Sequence, residues 1–228
     1  MPVIKYIYCL LALIVWTSCS KQLDDHAAPN AVITGMVMDA VAKTSIQTEQ
    51  PNGIKIRLIE ESYAKPTPQD FWTRPDGSYE NADLFSGKYK IVAAEGPFFP
   101  VDTVEVSING TATVNFNVTP FLSISATATA DGNNIILAYQ LSRARVGDKI
   151  VLAKSLASAY PAVSNIVNEA SVTHDLSGVT DDAALATAYS DTLRGLRSGT
   201  TWYTRVAART ANANNKFNYS TVMIVKIP

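Results

Sequence analysis

Few residues in this 228-residue chain could do acid–base or nucleophilic work. There are two histidines, His26 and His174, and two cysteines, Cys9 and Cys19. The adjacent carboxylates are Asp24-Asp25, Glu60-Glu61 and Asp181-Asp182. A glycosidase needs two carboxyl groups about 5–10 Å apart across a cleft, which adjacency in sequence does not supply. His174 stands beside Asp175 in "THDLSG", but strand neighbours point to opposite faces, so the two form no dyad. His174 therefore reads as a solvent-facing residue. "VTDDAAL" reads as a helix start, with Thr180 or Asp181 as cap and acidic charge at the positive dipole end. A lone histidine in the body of the chain, with no cysteine cluster, argues against zinc. Neither G-x-S-x-G, nor HExxH, nor a phosphate-cradling glycine loop occurs. The expectation is a non-enzyme without cofactor or metal.

Binding asks for less. Sugar rings present apolar faces, so exposed aromatic side chains with polar neighbours are the residues to seek. Five lie off the inward positions of the strand pattern: Trp72, Phe98, Phe99, Tyr160 and Tyr203. Trp72, in "QDFWTRPDG", has Gln69, Asp70 and Arg74 nearby. Phe98 and Phe99 sit between two prolines in "GPFFPV", and Tyr160 precedes Pro161. Core or junction packing is the competing reading for each, because aromatic rings carry much of the burial in a small sandwich.

The elements that must hold these residues are strands. "IKIRLIE" alternates Ile54, Ile56 and Leu58 inward, and "GKYKIVAA" does the same with Tyr89, Ile91 and Ala93. "VEVSING" and "TVNFNV" flank Asn109-Gly110, which reads as a hairpin turn setting Val104, Val106 and Ile108 against Val114, Phe116 and Val118. Asp76-Gly77 is a second tight turn. After Pro120 a new series begins: "LSISATA", a turn at Asp131–Asn134, then Ile135, Leu137, Tyr139 and Leu141 in phase. "KIVLAKS", "TAYSDTL", "WYTRVAA" and "STVMIVKI" follow at sandwich spacing. The fold class is all-β, two β-sandwich domains in tandem, residues 30–119 and 120–228. No Gly/Ser linker separates them, so the pair should be stiff. The net charge of −1 becomes about −2 once Lys5 is removed with the signal. With no basic stripe, nucleic acid is not an expected partner.

The front of the chain carries an address. One lysine, an apolar run from Ile7 to Trp16 too short to span a bilayer, and then Thr17-Ser18 describe a signal peptide over residues 1–18. Cys19, which follows, resembles the lipidated cysteine of a bacterial lipobox, with residues 19–29 as tether. No other cysteine remains in the mature chain, so Cys19 has no internal disulfide partner. Each acyl methylene adds about 0.8 kcal/mol of membrane affinity. "SKQLDDH" resembles the export signal of Bacteroidetes surface lipoproteins, which implies an outer-membrane lipoprotein displayed at the cell surface.

Further resemblances concern the modules. "RPDGSYENADLFSGKYKIVAAEG" resembles transthyretin-like (carboxypeptidase-regulatory-like) sandwiches. "LRSGTTWYTRVAA" resembles the E–F corner of fibronectin type III or Ig-like modules. Trp202 replaces the corner tyrosine, so the hydroxyl bond back to the backbone is missing. "HAAPNA", "VTPF" and "KFNYS", in that order behind a lipobox, resemble a Bacteroidetes lipoprotein family of unknown function, domain of unknown function 3823. The resemblance implies a non-catalytic accessory subunit of a Sus-like glycan capture and uptake system. Its partners would be the outer membrane, SusC/SusD-like transporter components and polysaccharide. The alternative is a structural or adhesive Ig-like protein that binds another protein. In such a source, "DTV" and "DTL" make Thr103 and Thr192 candidate O-glycosylation sites.

Overall fold

The computed structural model describes residues 28–228. The signal segment, Cys19 and most of the tether lie outside the described residues. The first module holds β1 (Ala31–Asp39), β2 (Lys55–Glu60), β3 (Gln69–Trp72), β4 (Ser78–Leu84), β5 (Gly87–Glu95), β6 (Val104–Ile108), β7 (Thr111–Thr113) and β8 (Phe116–Val118). Strands β3-β2-β5-β6 form one antiparallel sheet. The facing sheet is ordered β4-β1-β7, and both β7 and β8 run parallel to β1. Ile54, Ile56, Leu58, Tyr89, Ile91 and Ala93 are all buried, on the side that the alternation assigns them. They meet Ile33, Val37, Tyr79, Phe116 and Val118 of the facing sheet in one core. Burying each large aliphatic side chain contributes about 1.5–3 kcal/mol.

One expected pairing is different. Asn109-Gly110 does turn the chain, with Gly110 at φ 76°, but the strands on either side enter opposite sheets. Strand β6 pairs with β5, and β7 and β8 pair with β1. Val104 is consequently exposed rather than set against Val114. A two-residue turn signal says that the chain reverses, and says nothing about which neighbour accepts the returning backbone.

The second module holds β9 (Ser123–Asp131), β10 (Asn134–Ser142), β11 (Ile150–Ser158), β12 (Ala170–Asp175), α1 (Asp181–Ala186), β13 (Tyr189–Leu193), β14 (Thr201–Thr210), β15 (Asn218–Tyr219) and β16 (Met223–Lys226). One sheet is ordered β13-β10-β9; the other is β12-β11-β14, with β15 and β16 both on β14. Their shared core joins Ile135, Leu137, Tyr139 and Leu141 to Ile150, Ala153, Trp202 and Val206. Thr180 caps α1, its hydroxyl accepting from the Ala183 N–H at 3.3 Å. Trp202 is buried, and its indole N–H points to the Arg197 carbonyl at 3.4 Å. The corner thus has a bond back to the backbone, supplied by nitrogen in place of the expected hydroxyl.

The modules are fastened to each other by an uncommon set of polar contacts. The Phe99 N–H donates to Thr119, and the Phe121 N–H to Pro97, closing the chain around the junction. Arg205 on β14 is 2% exposed, its guanidinium 3.7 Å over the Tyr219 ring and donating to the Thr48 carbonyl at 3.0 Å. Burial pulls its pKa down to about 10, so it stays charged at neutral pH. Tyr219 donates to a Glu49 carboxylate oxygen at 2.6 Å, and Asn218 to the Pro97 carbonyl at 2.9 Å. The loop between β1 and β2 is therefore docked onto the outer face of the second module.

Candidate binding cleft

The five aromatic candidates fall in different places. Trp72, 37% exposed, sits at the seam with the Lys216 ammonium 4.6 Å and the Lys55 ammonium 5.2 Å from its ring centroid. Lys216 also donates to the Asn52 carbonyl at 2.6 Å, and Lys55 pairs with Glu95. The indole holds two cations of the protein itself, which a desolvated cation–π contact rewards, and this occupies the ring that a sugar would need. Phe98 is buried in the first core, which removes it from the rings open to a ligand. Phe99 is half-buried, edge-on to Phe121 at 5.1 Å with the Arg145 guanidinium 4.4 Å from its ring. It lines an inter-module cavity of about 330 Å³ together with Glu95, Asp148 and Asn214. Tyr203 is half-buried against Leu156, Ala207 and Phe217 on the outer sheet face. Tyr160 is open, 67% exposed, beside Ile166, Glu169 and Arg197 in a shallow depression. Of the two candidate modification sites, Thr103 is exposed in the loop before β6 and Thr192 is half-buried in β13.

His174 departs from the solvent-facing reading. Its ring Nε2 lies 2.7 Å from Asp191, which is 4% exposed and receives the Ser155 hydroxyl at 2.6 Å on its other oxygen. Tyr189 stands edge-on to the imidazole at 5.3 Å. Serine, histidine and aspartate do come together, but the aspartate is in the middle. A nucleophile needs its base beside it, and here Ser155 and His174 are both spent on one carboxylate. The cluster holds β11, β12 and β13 together and offers no route to acyl transfer. Among the described residues, no group of three His, Cys, Asp or Glu side chains is placed to hold a metal ion.

A cleft that no sequence candidate marked lies at one end of the first module. Its volume is about 400 Å³, and it is lined by Glu60, Tyr63, Lys65, Gln69, Asp83 and Phe85 among others. Tyr63 is 63% and Phe85 44% exposed. Tyr63 comes from the β2–β3 loop, where Pro66 and Pro68 limit the backbone. Phe85 sits in the β4–β5 turn, which is pinned on both sides. Tyr89 donates to the Phe85 carbonyl at 2.7 Å, and Asn30 accepts from the Ser86 N–H at 2.9 Å and its hydroxyl at 3.1 Å. Glu60 accepts from the Ser62 hydroxyl at 2.5 Å. Burial, then the nearby Glu60 charge, raises the Tyr89 phenol pKa, so it remains a donor. Two open rings beside carboxylate and amide groups suit an amphipathic ring with hydroxyls on its rim. The signal was present: Leu84 faces inward, so the alternation turns Phe85 outward.

Residues 31–119 match the family model described as the N-terminal domain of DUF3823, a protein of unknown function. The match covers the first module. Solved structures similar over the whole described chain extend the likeness. A DUF3823 protein from Bacteroides uniformis is 24% identical, with TM-score 0.79, over 88% of this chain and all of that one. A candidate carbohydrate-binding protein from the same organism is 22% identical, with TM-score 0.75, over 87% of this chain and 99% of that one. A DUF3823 protein from Parabacteroides merdae is 21% identical, with TM-score 0.73, over 88% and 100%. At such identities the likeness is one of fold, and it spans both the module that the family model matches and the sandwich that follows. No curated protein matches the chain.

Proposed function

We propose that this is a non-catalytic glycan-binding lipoprotein, anchored through Cys19 to the outer membrane, displayed at the cell surface and working beside a Sus-like uptake system. The first module is read as transthyretin-like and the second as fibronectin type III-like. The observation that carries the glycan role is the Tyr63–Phe85 cleft, where two exposed rings from separate elements share a cavity with hydrogen-bonding groups. Pockets of roughly 300–1,000 Å³ with a few placed polar groups are the usual form of small-ligand sites. The likeness to a candidate carbohydrate-binding protein supports the same reading. Binding of the mature protein to a polysaccharide panel should fall at least tenfold in a Tyr63→Ala/Phe85→Ala double variant with an unchanged melting temperature. In cells, Cys19→Ser should release the protein from the membrane fraction. Equal binding by the double variant would remove the cleft from the account.

A second reading is favoured by β9. It forms the edge of its sheet for nine residues, "SISATATAD", without proline, glycine or lysine, and pairs with β10 without a bulge. Natural edges are commonly blunted by such residues. An adhesive role through strand addition at β9 would leave polysaccharide binding absent and be abolished by Thr127→Pro.

A further inference from the structure

We infer that the Tyr63–Phe85 cleft selects uncharged glycans and discriminates against uronate- and sulfate-bearing ones; this rests on the glycan reading above. The charges that line the cleft favour this selectivity. Glu60 and Asp83 both line it, against one lysine, Lys65. Among the described residues neither carboxylate has a cationic side chain within ion-pair distance, although other acidic groups of the same module do: Asp70 pairs with Arg57 at 2.7 Å and Glu61 with Lys90 at 2.6 Å. Lys65 is the one cation among the residues lining the cleft, so two carboxylates face it against a single positive charge. For a neutral sugar this is useful, since an ionised carboxylate accepts hydroxyl donors strongly and with both oxygens. For a sugar carrying its own carboxylate or sulfate, the same oxygens repel. Screening limits the effect at an open site, because charges there interact over a Debye length of about 8 Å at physiological salt. The discrimination should therefore be severalfold and salt-dependent.

The seam offers the opposite chemistry: Lys55, Arg57 and Lys216 cluster near Trp72, yet Glu95 and Asp70 already hold the first two. The cavity at that seam, about 330 Å³, is lined by Glu95 and Asp148 and by no lysine or arginine, which leaves the end cleft as the point of choice.

The test is an array of neutral, uronate-bearing and sulfated oligosaccharides of matched length, probed with the mature protein and two double variants, Tyr63→Ala/Phe85→Ala and Glu60→Gln/Asp83→Asn. The expected result has neutral oligosaccharides dominating the signal, all of it lost in the aromatic variant. The charge-removed variant should gain roughly threefold per charge toward acidic oligosaccharides at low salt, a gain that shrinks at high salt. Acidic oligosaccharides bound as well as neutral ones, through the two rings, would overturn the selectivity while sparing the glycan role. An unchanged preference after charge removal would overturn it as well. Signals that survive loss of both rings would overturn the site itself.

Discussion

Asp191 ties three strands of the second module together through two side-chain partners. It is buried, and its two oxygens are taken by His174 and Ser155. Removing one partner of a buried acid leaves a group that neither water nor protein satisfies, at a cost of about 1–3 kcal/mol. His174→Ala should therefore lower the unfolding free energy by about that amount in urea titrations, while His174→Gln, which keeps a donor, recovers part of it. The phenols set a second residue-scale limit. Burial raises the pKa of Tyr79, Tyr139 and Tyr219 well above the ordinary value. A folded-state pKa above the unfolded one means that the stabilisation is complete below the unfolded value, near 10, and is lost as pH rises beyond it. Each such phenol costs about 1.4 kcal/mol per pH unit there. Arg205, with its folded pKa lowered to about 10, works the other way over the same range, but three phenols outweigh one guanidinium. Denaturation midpoints should be flat through neutral pH and fall steeply above about pH 10.

At the scale of elements, turns of the same glycine chemistry are not equally demanding. Gly77 has φ 80°, and a Cβ there would stand 2.6 Å from the Ile46 carbonyl; Gly132 has φ 55° with open space around it. Gly132→Ala should cost only the left-handed strain, about 1–2 kcal/mol, whereas Gly77→Ala adds a clash with backbone and should cost clearly more in thermal or chemical unfolding. The difference has a structural source. Gly132 closes the local β9–β10 hairpin, which needs no other part of the chain. Gly77 lies where the chain passes between sheets of the first module, against the loop that carries Ile46. Both glycines were visible as turn signals, but only the fold tells a free turn from a packed one. The same holds at Asn109-Gly110, where a correct turn joins strands of opposite sheets.

For the whole molecule the seam decides whether two sandwiches behave as one body. Arg205, Tyr219, Glu49, Asn218 and Lys216 join groups 121–170 positions apart in sequence. Contacts of this kind couple the modules' unfolding, because neither can open without exposing a buried guanidinium or an unpaired carbonyl. A single calorimetric transition is expected for the intact chain. Arg205→Ala combined with Glu49→Ala should separate it into two, with a loss of about 3 kcal/mol from the more weakly held module.

The strands, most of their inward residues, the cap at Thr180 and the all-β plan were legible in the chain itself. Each depends on a period of two, or on a cap or turn type, that neighbouring residues set without outside help. What remained hidden had one physical character: it joins residues far apart in sequence. Asp191 meets His174 and Ser155 across two sheets, Trp72 meets Lys216 across the modules, and Tyr63 meets Phe85 across two loops. Alternation says that Phe85 points outward, but whether an outward ring stands alone, clamps a lysine or lines a cleft is decided by how the sheets pack. Only the tertiary structure brings those partners within a few ångströms, where hydrogen bonding and ring stacking begin to act.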